Sequence, residues 1–462
     1  MDEASLKTKQ SGSILYVSLV CCVAALGGLL FGYDTAVISG AIGFLQSRFS
    51  LEPTMTGWAA SCALIGCVIG AALAGMLSDK LGRKKVLILS AIFFLVSAIG
   101  TAFPRNLIEF IIFRIIGGIG VGAASLTSPM YIAEVSPARI RGRMVSVNQL
   151  AIVSGILIVY FVNYFIAGLG DEAWNIQLGW RWMFGSESLP AILLLILLFF
   201  VPESPRWLTK QKRSDEALNI LSRVDGEDYA SRELAAIEEA IALESGTIGQ
   251  LFKPGMKIVL VIGVMLAILQ QVTGINAFLY YAPEIFKKLG TGTDAALFQT
   301  IVIGAVNLTF TLIAIWTVDR LGRKPLMIIG SAGMGVSLLA MGLASYYQKT
   351  ELWVLLFILG YIACFALSVG PVVWVILSEI FPTTIRGRAM SIATVCLWGS
   401  NYVVSQTFPM MNENKWLVEK FHHGFPFWVY GSLCVVLVVF VWKFVPETKG
   451  KTLEEIEKHW FQ

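Results

Sequence analysis

The chain has 462 residues, 56% of them hydrophobic and only 14% charged, where a soluble domain carries about 25% charged residues. Its formal net charge of +4 is too small to mark a nucleic-acid binder, and the apolar surplus is gathered into long runs, as in a polytopic membrane protein. The seven cysteines (Cys21, Cys22, Cys62, Cys67, Cys364, Cys396, Cys434) fall inside those runs without metal-ligand spacing, so they read as packing residues, and neither metal nor cofactor is expected.

The short polar stretch 1–12 is followed by an apolar run too long for a cleavable signal, so that run is expected to remain as the first span. At about 1.5 Å rise per residue and a hydrocarbon core of about 30 Å, twelve spans fit. They run roughly over 14–46, 57–78, 86–103, 107–132, 144–167 and 184–201, then 257–288, 296–318, 326–347, 353–380, 389–411 and 426–445. Between the sixth and seventh spans, residues 206–250 change character: charges alternate with apolar residues at helical spacing, which reads as amphipathic helices on an aqueous face. The expected fold class is therefore all-α, with twelve transmembrane helices in two six-helix bundles. The bundles are residues 1–205 and 251–462, joined by a cytoplasmic helical linker, 206–250.

The two halves repeat one another. The stretch Gly75 to Lys85, with Asp79, Gly82 and Arg83, returns 240 positions later around Asp319, Gly322 and Arg323. Glu134 with Arg141 and Arg143 reappears 245 positions on as Glu379 with Arg386 and Arg388, and Pro202-Glu203-Ser204-Pro205-Arg206 is echoed 244 positions on by Pro446-Glu447-Thr448-Lys449. Three pairs in the same order imply a duplicated half, a feature of transporters. The loops rich in Lys and Arg alternate with poorer ones, which puts the rich side and both termini in the cytoplasm. Topology does not require the carboxylates that accompany those basic residues. Asp79/Arg83, Glu134/Arg141, Glu203/Arg206, Asp319/Arg323, Glu379/Arg386 and Glu447 are expected to pair and hold the halves together as a cytoplasmic gate. Exposed pairs are worth about 0–1 kcal/mol each, yet a network of them biases an equilibrium whose states differ by a few kcal/mol.

Within the spans ionisable residues are scarce, so each is informative. Asp34 lies deep in the first span and Arg114 in the fourth. Either they form a structural ion pair, or the carboxylate gains and loses a proton under the influence of the arginine. The three histidines fall outside the spans, which argues against a histidine relay. The seventh span carries Gln270, Gln271 and Asn276, then Tyr280; Gln149, Asn307 and Asn401 lie inside the fifth, eighth and eleventh. Phe31, Trp374 (just after Gly370-Pro371) and Trp398 add aromatic faces. Taken singly, each polar group serves equally well as interhelical glue. Together, amides and indoles with few charges suit a neutral polyhydroxyl ligand.

The repeated Asp-Lys/Arg-Leu-Gly-Arg-Lys loops, Pro202-Glu-Ser-Pro-Arg206, Gln270-Gln-Val-Thr-Gly-Ile-Asn276, Gly370-Pro-Val-Val-Trp374 and Pro446-Glu-Thr-Lys-Gly450 resemble the sugar porter family of the major facilitator superfamily. The stretch from Phe408 to Thr452 looks most like the family's bacterial D-xylose–proton symporters. The resemblance implies alternating access of two bundles around a central site, with no enzymatic chemistry. It implies proton coupling at Asp34 and Arg114, and sugar binding at Gln149, Gln270, Gln271, Asn276, Asn307 and Trp374. Passive glucose facilitators of the family have asparagine at the position of Asp34, which favours symport; a passive facilitator and a transporter-like sugar receptor are the alternatives. Leu397 and Ile156 stand where the xylose type has glutamines, whereas Leu279 matches that type, so pentose against hexose stays open. The implied partners are a monosaccharide, a proton and the lipid bilayer, with no nucleic acid, for a monomer in the bacterial plasma (inner) membrane.

Overall fold

The computed structural model describes residues 13–243, 256–288, 290–348, 353–381 and 386–449, the side chains of 243, 319, 353 and 386 excepted. The first six spans are Ile14–Phe49, Pro53–Leu81, Arg83–Ala102, Leu107–Val135, Ala138–Ala167 and Glu172–Leu198. The second six are Met256–Lys288, Thr293–Leu321, Arg323–Tyr346, Val354–Ile380, Arg386–Asn412 and Phe425–Phe444. Among the described residues eleven of these helices are long and apolar enough to cross a membrane. The eleventh span, Arg386–Asn412, falls short in hydropathy because it carries Arg388, Asn401 and Gln406, but its 27 residues are long enough and it packs between the second and seventh spans. Twelve helices therefore form the two bundles of a membrane protein.

Two spans differ from their sequence reading. The sixth starts at Glu172 rather than 184: Asp171 caps it by accepting from the Trp174 N–H at 2.8 Å, and a π turn follows at Asn175–Gly179. Arg181 in that added stretch satisfies itself on the Ala102 and Pro104 carbonyls, both at 3.2 Å, so its charge does not end the helix. The seventh span is two helices, Met256–Val272 and Ile275–Lys288. The break falls at Gly274, whose φ of +95° suits glycine and whose α-hydrogen faces the Tyr430 ring, leaving no room for a side chain.

Small residues let the helices of each half close up. A methyl at Gly118 of the fourth span would collide with the Ala63 carbonyl of the second. Linker helices Pro205–Lys210, Ser214–Asp225 and Glu227–Leu243 dock on the first half. They are held by Arg139 on Asp225 at 2.8 Å, Arg141 on Glu233 at 3.3 Å, and a small cluster around Trp207, Leu208 and Ala217. The halves meet along the second and eleventh spans, the fifth and eighth, and the first with the second segment of the seventh. On the face away from the basic loops they touch: Trp58 meets Tyr402 edge-on at 6.2 Å, and Tyr164 meets Phe298 at the same spacing. Toward the basic loops a cavity opens between them, although Gly75 of the second span still lies close to Ser391 of the eleventh.

Candidate functional site: a central cavity beside a buried ion cluster

The space between the halves is a cavity of ≈ 1940 Å³ that reaches the basic loops. A typical ligand pocket measures about 300–1,000 Å³, so this one combines a site with an open vestibule. Arg139, Arg143, Arg206 and Arg388 line its mouth. Phe31, Gln149, Gln270, Gln271, Asn276, Tyr280, Asn307, Trp374, Trp398 and Asn401 all line its interior.

The break at Gly274 places Gln270 and Gln271 on one segment of the seventh span and Asn276 and Tyr280 on the next. Gln270 Nε2 donates to the Val369 and Gly370 carbonyls, each at 2.9 Å, where a π turn (Phe365–Val369) precedes Pro371 in the tenth span. That bond fixes the amide and leaves Gln270 Oε1 buried without a donor. Asn276 Nδ2 donates to Gln271 Oε1 at 2.5 Å. Asn401 Oδ1 accepts from Ser405 at 3.0 Å, and its Nδ2 lies 3.4 Å from the Tyr280 hydroxyl. Trp398 packs on Phe31 with centroids 5.3 Å apart, and its Nε1–H is buried without an acceptor. The spare acceptor of Gln270 and the spare donor of Trp398 in an amide-lined cavity match hydroxyl groups, which both give and accept hydrogen bonds.

Asp34 sits on the next face of the same first helix. Phe31 and Thr35, one turn apart, look into the cavity, while Asp34 points back into the first half and is fully buried. Arg114 reaches it there: Nη1 donates to Asp34 Oδ1 at 2.5 Å and Nη2 to the Asp34 carbonyl at 3.2 Å, with Phe184 covering the guanidinium. A third ionisable group shares the pocket. Glu187 of the sixth span is 1% exposed and interacts with both Asp34 and Arg114. Asp34 Oδ2 and Glu187 Oε1 are both buried without a donor. Two carboxylates and one guanidinium total one negative charge, which is costly away from water. A proton added to this pocket would supply the missing donor and cancel the excess charge.

The clusters at the basic face are built twice over. Arg83 grips Glu134 with two bonds, Nε to Oε2 at 2.9 Å and Nη2 to Oε1 at 3.0 Å, and also reaches Asp79 at 3.2 Å. Ser204 donates to Glu134 as well, and Glu203 accepts the Lys84 N–H at 3.0 Å. In the second half Arg323 pairs with Glu379 at 2.8 Å, Thr448 donates to Glu379 at 2.5 Å, and Glu447 accepts the N–H groups of Arg323 and Lys324 at 3.1 and 3.0 Å. Each half thus caps the first turn of its third helix with a carboxylate from beyond its sixth, where the helix dipole favours negative charge. Burial alone raises the Glu447 carboxyl. The backbone N–H groups of Lys449, Arg323, Lys324 and Thr448 outweigh that and hold it below its ordinary value. Because its pKa is lowered on folding, the stabilisation is present above the ordinary carboxylate range and is lost as pH falls through the lowered value.

The pairing differs from the one expected at Glu134, which takes Arg83 instead of Arg141, and at Arg141, which goes to Glu233 of the linker; among the described side chains Glu379 pairs with Arg323. These bonds tie helices within one half or to the linker and do not cross between halves. Arg206 lines the mouth, whereas the side chains of Asp319 and Arg386 lie outside the described residues.

Residues 20–460 match the family model described as "Sugar (and other) transporter". The chain is 50% identical to the D-xylose-proton symporter of Escherichia coli over 96% of each chain. The chain belongs to the sugar transporter family. It is also 44% identical to the arabinose-proton symporter of Bacillus subtilis, over all of this chain and 98% of that one. Among solved structures it superimposes on a partially occluded, inward-open conformation of the E. coli xylose transporter XylE. There the TM-score is 0.86 at 47% identity, over 95% of this chain and 100% of that one. The family is one of major facilitator transporters, not enzymes.

Three contributors to this transporter's site escape a sequence reading. Thr35 and Thr311 line the cavity, but a lone threonine in an apolar run carries no signal. Glu187 carries a strong one, a carboxylate at membrane depth. It goes unread when the sixth span is started at 184, which leaves Glu187 at a helix end instead of fifteen residues past Glu172.

Proposed function

We propose that this protein takes up a monosaccharide together with a proton by alternating access, with D-xylose and/or D-glucose as substrate. The observation that carries the reading is the first helix, one face of which lines the amide-rich cavity while the next holds Asp34 against Arg114. A movement of that helix driven by sugar also changes the surroundings of the carboxylate, which is what coupling requires. With the basic loops cytoplasmic by the positive-inside rule, the cavity is inward-facing. The chain then works as a monomer in the bacterial inner membrane with both termini inside. Purified protein in proteoliposomes should accumulate labelled sugar when the outside is acidic and only equilibrate it without a gradient. Uptake indifferent to the gradient marks a passive facilitator, and binding without uptake marks a receptor.

Sugar is assigned to Gln149, Gln270, Gln271, Asn276, Asn307, Trp374, Trp398, Asn401, Phe31 and Tyr280. Gln271→Ala removes a sugar partner and also the acceptor of Asn276, so it should weaken sugar binding by roughly 1–3 kcal/mol. Trp374→Ala should weaken it through lost packing. Calorimetric titration is the check, and unchanged affinity in both variants places the sugar elsewhere.

Ile156 and Leu397 also line the cavity, giving it apolar walls beside the amides. These tolerate the additional CH₂OH of a hexose. D-glucose is therefore expected to compete with labelled D-xylose, and xylose uptake unaffected by excess glucose would refute this.

A further inference from the structure

Among the described residues, the face opposite the basic loops is closed mainly by apolar and aromatic packing, with a few polar contacts between the halves: the Tyr160 hydroxyl on the Leu279 carbonyl at 2.8 Å, Lys287 over the Phe44 ring, and a two-bond contact at Gln406. Gln406 projects from the eleventh span of the second half onto the second span of the first. Its Oε1 accepts from the Ser61 hydroxyl at 2.9 Å, and its Nε2 donates to the Thr54 carbonyl at 2.9 Å, with Met410 Sδ at 3.9 Å on the same helix. Thr54, Gly57 and Ser61 lie at i, i+3 and i+7, one face of the second helix. Gly57 allows the approach, since a methyl there would lie 2.5 Å from the Gln406 carbonyl. Trp58 and Tyr402 pack edge-on beside it.

We infer that Gln406, with Ser61 and the Thr54 carbonyl, is a latch that holds this face shut and so sets the resting balance between the two orientations of the carrier. Gln406 touches neither sugar nor the ion cluster, and is a positioning residue. The inference rests on the alternating-access reading. Both bonds join one half to the other, so they exist only while the second and eleventh spans touch. When this face opens, their three polar groups return to water. An exchange of this kind favours the closed form modestly for each bond, and two of them together bias the orientations on the order of tenfold. The first half contributes a hydroxyl and a carbonyl, and the second an amide that fits both. Apolar side chains here would close the face equally well, but without a fixed register between the two helices.

The test uses Gln406→Met, which keeps length and volume but makes neither bond, and Ser61→Ala, which removes one. Hydrogen–deuterium exchange is followed in the full-length protein in lipid nanodiscs, without sugar and without a gradient. For Gln406→Met, exchange is expected to rise in segments 54–62 and 402–410 and to fall in segments 138–146 and 387–391 at the mouth of the cavity. Ser61→Ala should change both regions in the same sense but less, and the double variant should go no further than Gln406→Met, since one unit is removed either way. In transport, KM for sugar supplied from the latched side should fall by a few-fold with little change in kcat, because the state that binds from that side is more populated. Unchanged exchange, or a rise at both ends of the molecule, overturns the latch; the latter is the mark of simple loosening. If Gln406→Met fails to fold, the same comparison for Ser61→Ala decides. Because the exchange measurement involves no sugar, it stands or falls independently of which substrate is carried.

Discussion

Asp34→Asn is expected to abolish sugar accumulation under a proton gradient while leaving sugar binding in place. The wild-type pocket holds Asp34, Glu187 and Arg114 away from water, and with both carboxyls ionised it carries one negative charge in excess. Asparagine keeps the shape and leaves one carboxylate opposite one guanidinium, neutral at every stage of the cycle. The variant therefore resembles the proton-loaded carrier permanently and has nothing to release. A membrane potential of 100 mV acting on one charge supplies about 2.3 kcal/mol, or roughly fifty-fold accumulation, and all of it should disappear. The assay is the external pH of lightly buffered, de-energised cells on addition of sugar. Wild type should make the medium more alkaline and Asp34→Asn should leave it unchanged. Normal sugar-linked proton uptake in the variant would remove Asp34 from the coupling step, whereas lost sugar binding would make its role structural.

The second large effect is expected at Arg83. Its side chain is 6% exposed and that of Glu134 10%, so Arg83→Ala strands a nearly buried carboxylate whose remaining partner is the Ser204 hydroxyl. Removing one member of a buried pair costs about 3–5 kcal/mol. This cost falls on the packing of the second, third and fourth spans, not on the cavity interior. Transport should fall sharply and thermal unfolding should come earlier, while sugar affinity in the folded fraction stays close to wild type. Glu379→Ala is the counterpart in the second half. The Arg323–Glu379 pair is more exposed, at 12% and 21%, so the loss should have the same pattern and a smaller size. Sugar binding and transport falling in equal proportion would count against a gating role for these clusters.

Much of this was legible in the sequence because the governing signals are local. An amide inside an apolar run is conspicuous wherever the run ends up, and Gln149, Gln270, Gln271, Asn276, Asn307 and Asn401 all reach the cavity. Twofold repetition of Asp79-to-Lys84 and of Pro202-Glu203 likewise announces two similar halves before any contact is known. Partner choice is another matter. That Arg83 takes Glu134 and leaves Arg141 to Glu233 depends on where the fourth span and the linker lie in space, and no spacing along the chain carries that. The break at Gly274 was hidden because both segments beside it are apolar and together look like one long run. Glu187 was hidden because the polar first turns of the sixth span look like a loop until Asp171 caps them and Arg181 finds its carbonyls.

All three ionisable groups of the buried cluster belong to the first half, while most of the amides and indoles facing the cavity belong to the second. On the proposed assignment, the means of driving this carrier and the choice of its cargo lie on different copies of the repeated half. On that assignment, substitutions in the seventh, tenth and eleventh spans are expected to change the preferred sugar without disturbing the charge balance around Asp34. Conversely, loss of the one carboxylate in the first helix is expected to turn an accumulating carrier into an equilibrating one with its cargo preference intact.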